Sequence, residues 1–64
     1  MPVIQVHMLE GRTQDQKREI VKQLTDAMVN AAGAKKESVT VILYEKPRGD
    51  YGIGGVLFSD QVKP

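Results

Sequence analysis

The stretch PVIQVHMLEGRTQDQ, residues 2–16, decides how the rest of the chain is read. From Val3 to Leu9 it is apolar and β-prone with no breaker. Strand geometry places Ile4, Val6 and Met8 on one face and Val3, Gln5, His7 and Leu9 on the other. Gly11 ends the run. Thr13 then supplies an oxygen suited to capping a helix, with Gln16 three places on to complete a capping box. Asp15 adds negative charge to the first turn, where the helix dipole favours it. A strand passing directly into a capped helix is the first half of a βαβ unit.

The following residues keep to that plan. Ile20, Val21, Leu24, Ala27, Met28 and Ala31 recur with a 3.6-residue period, and Lys17, Arg18, Lys22, Gln23, Asp26 and Asn30 mostly take the opposite side. Gly33 stands where a left-handed residue closes a helix. After the polar connection AKKES (34–38), VTVILY (39–44) is dense in β-branched residues and reads as a buried second strand. Thr40, Ile42 and Tyr44 point one way, Val39, Val41 and Leu43 the other. Strand, crossover helix and strand imply a right-handed parallel unit. PRGD (47–50) turns the chain, and YGIGGVLF (51–58) forms a short hairpin. The fold class is α/β, or α+β if the hairpin is weighed separately, in one domain over residues 1–64.

Size sets a further requirement. A chain of 64 residues buries only about 60% of the surface exposed by its unfolded form. It has no cysteine, so neither disulfides nor thiolate metal ligands add stability. One helix covers one face of a two-stranded sheet, leaving the other face and both edges to be covered by further copies of the chain. Net charge is +1, with nine basic and eight acidic residues spread along the whole length, which argues against a nucleic-acid partner. No apolar run approaches the roughly 20 residues of a membrane span, and no secretory signal pattern opens the chain. The expectation is a soluble cytoplasmic protein with no membrane partner.

PVIQVHMLEGR at the front, the capped helix, the valine-rich strand and YGIGG near the end together closely resemble the 4-oxalocrotonate tautomerase family, also called 2-hydroxymuconate tautomerase. The resemblance runs without obvious gaps from Pro2 to about Gly55. It implies a trimer of dimers, a homohexamer, and a cofactor-free isomerase of aromatic-compound catabolism. The substrate it implies is 2-hydroxymuconate, a dienol dicarboxylate, converted to a conjugated 2-oxo acid.

The resemblance makes Pro2 the catalytic residue. Removal of Met1 leaves a secondary amine, and keto–enol exchange needs one base that takes a proton from the enol oxygen and returns it to carbon. A free α-amino group titrates near about 8, a secondary amine somewhat higher, and apolar surroundings or nearby cations lower it. Read alone, Pro2 is only a proline after a start codon. Arg12 is the implied ligand of the distal substrate carboxylate, in a neighbouring subunit's site; its paired donors suit a carboxylate. Leu9 and Ser38 are binding positions by the same match, and Tyr51, where the archetype has phenylalanine, forms an apolar wall.

Thr40 is the departure. The archetype carries an arginine there, two places after the serine, which draws electron density from the reacting end of the substrate. A threonine offers a neutral hydroxyl, so turnover is expected to be slower or the substrate different. Lys46 and Arg48, in the turn before YGIGG, are the cations available to compensate. His7 stands alone and reads as a strand histidine with a structural hydrogen bond rather than a metal ligand. Gly52, Gly54 and Gly55 serve turn geometry and close packing. Two other readings stay open: a hydratase- or dehalogenase-like enzyme in which Glu10 or Asp50 activates water, and a non-catalytic oligomeric βαβ scaffold.

Overall fold

The computed structural model describes residues 1–61 of the chain. Strand β1 (Val3–Leu9) leads into helix α1 (Gln14–Ala32), and a short 3₁₀ turn (Lys36–Ser38) delivers strand β2 (Thr40–Lys46). A second 3₁₀ turn (Arg48–Asp50) precedes the paired strands β3 (Gly52–Ile53) and β4 (Val56–Leu57), and a third (Phe58–Asp60) follows them. The sequence-based boundaries of β1 and of the helix hold. β2 begins and ends later than expected, because ladder pairing with β1 continues through Lys46. Of the tail after Phe58, residues 59–61 are described; residues 62–64 lie outside the described part.

β1 and β2 run parallel, in a register that sets Val3 against Thr40, His7 against Tyr44 and Leu9 against Lys46. Parallel strands require a crossover, and α1 supplies it. The helix starts where the capping pattern placed it. Thr13 Oγ1 accepts from the Gln16 N–H at 3.1 Å, while the Thr13 N–H donates to Gln16 Oε1 at 2.9 Å. Losing such a cap costs about 1 kcal/mol. The helix stops at Gly33, whose φ of 69° lies in the left-handed region and whose N–H donates to the Val29 carbonyl at 3.1 Å. The β3–β4 turn needs positive φ at both central residues, and Gly54 (62°) and Gly55 (84°) provide it.

The alternation read from the sequence is visible in the sheet. Ile4, Val6 and Met8 of β1, with Val41, Leu43 and Glu45 of β2, are half-buried on the helix side. Val3, Gln5, His7, Thr40, Ile42, Tyr44 and Lys46 are exposed on the other. β2 is therefore not the buried strand expected. Its helix-side residues are only half-covered, since a single helix cannot span the sheet. On α1, Ala27 and Ala31 are exposed, whereas Lys17, Thr25 and Val29 turn inward. Lys17 is on the inner side because its Nζ donates to Glu45 Oε1 of β2 at 2.7 Å. Its aliphatic stem borders the groove formed with Val21 and Leu43.

No described residue is fully buried. The Cα radius of gyration is 15.1 Å, against roughly 11 Å for a compact 64-residue domain. The accessible surface is 4990 Å², against about 4,100 Å² for a folded monomer of this mass. No described helix is long and apolar enough to cross a membrane.

Candidate active site

The fold sends the candidate residues to two separate places. Pro2 lies at the start of β1, where its carbonyl accepts from the Thr40 N–H at 3.0 Å. That bond places Thr40 beside it, and Ser38, held in its 3₁₀ turn by donation to the Lys35 carbonyl at 2.9 Å, is two residues away in the chain. Leu9 is at the other end of the strand, paired with Lys46, and the Glu10 N–H donates to the Lys46 carbonyl at 2.9 Å. Seven residues of strand at roughly 3.3 Å each separate Pro2 from Leu9 by about 23 Å. Arg12 lies three residues further on.

Arg12 is exposed and lines a shallow groove of about 250 Å³ with Gln16, Glu19, Ile20 and Gln23 of α1. Tyr51 follows the turn after the far end of β2. Its ring meets Phe58 edge-to-face at 5.7 Å and 79°, and its carbonyl accepts from the Phe58 N–H at 2.7 Å. Arg48 completes this cluster, with Cζ 5.5 Å from the Phe58 ring centroid. Lys46, the other cation considered in that turn, instead ends β2. Tyr51 is half-buried.

One protomer thus brings Pro2, Ser38 and Thr40 to one end of the sheet. It leaves Leu9, Arg12 and Tyr51 at or beyond the other. A substrate of a few ångströms cannot touch both groups within one chain.

Two relationships were not foreseen. His7 stacks on Tyr44 (centroids 4.8 Å apart, planes 9° apart) on the open sheet face, and among the described residues it makes no side-chain hydrogen bond, contrary to expectation. The register setting His7 opposite Tyr44 was the signal that could have disclosed it. Phe58 is the other; its role in fixing Tyr51 and Arg48 depends on the hairpin folding back, which strand periodicity does not encode. Among the described residues, no three His, Asp or Glu side chains are arranged to hold a metal ion.

Comparison with known proteins agrees with this architecture. The model of the family described as "Tautomerase enzyme" matches residues 2–61. The 2-hydroxymuconate tautomerase of Pseudomonas sp. (strain CF600) is 42% identical over 55 residues, covering 86% of this chain and 87% of the relative. A crystal structure of a 4-oxalocrotonate tautomerase homologue superposes with a TM-score of 0.90 at 46% identity, covering 98% of this chain and all of the other. The heterohexameric 4-oxalocrotonate tautomerase of Chloroflexus aurantiacus J-10-fl superposes at 0.88 with 30% identity, covering 94% and 97%. The βαβ unit with its short C-terminal strands matches known tautomerase structures, and the chain belongs to the tautomerase family.

Proposed function

We propose that the chain is a cofactor-free isomerase that interconverts enol and keto forms of an unsaturated 2-hydroxy or 2-oxo acid, 2-hydroxymuconate being the reference substrate. Pro2, freed by removal of Met1, takes the proton from the enol oxygen and returns it to carbon. With Met1 attached the same nitrogen is an amide, which carries no basic lone pair. Arg12 holds the distal carboxylate, Tyr51 forms the apolar wall, and Leu9, Ser38 and Thr40 line the remainder. These roles come from the family resemblance.

The observation that carries this reading is the separation of the half-sites. Pro2, with Ser38 and Thr40, stands at one end and Leu9, Arg12 and Tyr51 at or beyond the other, in a chain in which no described residue is fully buried. An assembly of copies, a homohexamer in the reference arrangement, resolves both facts at once. Such an assembly covers the open sheet face with a subunit interface. Closing that interface also dries the cavity around Pro2, which disfavours its charged form and keeps a base available near neutral pH.

The deciding experiment follows 2-hydroxymuconate spectroscopically with Met1-free protein, with protein retaining Met1, and with Pro2→Ala. General-base catalysis contributes about 10²–10⁴-fold, so both altered forms are expected to lose at least about a hundredfold. Equal rates in all three would remove Pro2 from the mechanism and leave the non-catalytic scaffold as the better reading.

A further inference from the structure

We propose that Arg48 is a substrate-binding residue, which takes the carboxylate beside the reacting enol and so selects dicarboxylates over monoacids. This deepens the tautomerase reading and rests on it for the place of Tyr51 in the site.

The argument begins with how Arg48 is held. Its guanidinium lies over the face of Phe58, Cζ 5.5 Å from the centroid, and the edge of the Phe58 pair meets Tyr51. Backbone bonds lock the three residues together: Asp50 N–H to the Pro47 carbonyl at 2.9 Å, Phe58 N–H to the Tyr51 carbonyl at 2.7 Å, and Gln61 N–H to the Phe58 carbonyl at 3.3 Å. Wherever Tyr51 is placed in an assembled site, Arg48 is carried with it.

The second step concerns which donors are spent. The contact with Phe58 is a cation–π approach, and none of the side-chain hydrogen bonds among the described residues uses the five N–H groups of Arg48. Asp50 is two residues away and Asp60 sits in the turn with Phe58. Even so, the ion pairs among the described residues are Lys17–Glu45, Arg18–Asp15 and Lys22–Asp26, and none includes Arg48. Among the described residues its charge is held against Phe58 and has no ion-pair partner. That arrangement fits a planar, two-oxygen anion brought by the substrate.

The third step is the charge count. Thr40, beside Pro2, presents a neutral hydroxyl, so no cation stands on that strand position. With Arg12 at the distal carboxylate, Arg48 provides the second positive group, one for each end of a dicarboxylate. Arg48 then acts mainly on binding, holding ground state and transition state alike.

The test uses Met1-free wild type, Arg48→Gln and Arg48→Lys, each first checked for wild-type oligomer mass. Titration with muconate, the hexadienedioate lacking the hydroxyl and therefore unable to tautomerise, reads binding without turnover. Arg48→Gln is expected to raise Kd at least about tenfold, the scale of a lost charged hydrogen bond, and Arg48→Lys by an intermediate factor. On 2-hydroxymuconate, Arg48→Gln raises KM by a similar factor with kcat within about threefold. On an arylenolpyruvate, whose only carboxylate is the one beside the enol, the same rise in KM is expected; on an aryl enol with no carboxylate, no change.

Equal Kd for wild type and both variants, or no muconate binding by wild type, would overturn the proposal. So would an equal loss on the carboxylate-free enol, which marks Arg48 as packing only. Should Arg48→Gln fail to assemble, Arg48→Lys against wild type decides alone. Failure of the tautomerase reading itself looks different: Pro2→Ala then matches wild type in turnover whatever muconate binding shows.

Discussion

The backbone N–H of Thr40 donates to the carbonyl of Pro2 across 3.0 Å, so the position read as a departure from the archetype is tied by its backbone to the proposed catalytic residue. The bond uses the backbone of Thr40 and leaves its side chain exposed on the open sheet face. A larger side chain can therefore be placed there without disturbing Pro2. Thr40→Arg is expected to raise kcat/KM on 2-hydroxymuconate about tenfold or more, the worth of one added charged hydrogen bond. The gain should be larger in an Arg48→Gln background, because two cations serving one anion are not additive. Steady-state kinetics on the four combinations check this, and a flat response in both backgrounds would show that charge at this end is not limiting.

The Lys17–Glu45 pair makes a prediction about stability. Its side chains are 21% and 28% exposed, and it ties the first turns of α1 to the end of β2. Arg18–Asp15, at 68% and 91%, lies open to solvent within one helix. Partial desolvation strengthens the first pair and water screens the second. A double-mutant cycle on Lys17→Met and Glu45→Gln should give a coupling of about 1–2 kcal/mol, against at most about 0.5 kcal/mol for the helical pair. Denaturant unfolding at one fixed chain concentration measures both, since assembly makes stability depend on concentration.

Gly33 isolates a backbone effect. A Cβ built there would have no atom within 4 Å, so packing does not oppose Gly33→Ala. The cost comes from holding alanine at φ 69°, which L-residues pay at about 1–2 kcal/mol. Gly33→Asn should cost less, because asparagine tolerates the left-handed region. Unfolding midpoints in the order glycine, asparagine, alanine are the expected result; an alanine variant as stable as wild type would contradict it.

Most of this fold was legible because its signals are local. Alternation in residues 3–9, the Thr13–Gln16 box and Gly33 each act within a few residues, and each fixed an element before any long-range contact was considered. The hairpin over 51–58 was legible with Gly52, Gly54 and Gly55 together given to turn geometry and close packing, and Gly54 and Gly55 are the two that take its central positions. What stayed hidden depends on residues distant in sequence. Lys17 reads as a solvent-facing cation by helical period, yet it turns inward because Glu45, 28 residues later, lies beneath it. Phe58 reads as the end of a hairpin, and only the folded-back chain makes it a platform for Arg48. For the site, Pro2 and Arg12 were marked by motif. Their placement at opposite ends of one strand follows from geometry that no local pattern carries.

The open sheet face provides the last prediction. Val3 (56% exposed), Ile42 (36%) and Tyr44 (37%) present apolar surface, with His7 stacked on Tyr44 beside them. A 64-residue chain in which no described residue is fully buried is marginal by itself. Folding and association should therefore be one event. Wild type is expected to sediment as an oligomer, with a thermal midpoint that rises with chain concentration. Ile42→Lys puts a charge at the centre of the face, where burial without a partner costs several kcal/mol. It should lower both the sedimenting mass and the helical circular-dichroism signal. The coupling is the point at issue: a variant that is monomeric yet fully helical, melting at the same temperature at every concentration, would show that this chain folds without its neighbours and that the open face is not its interface.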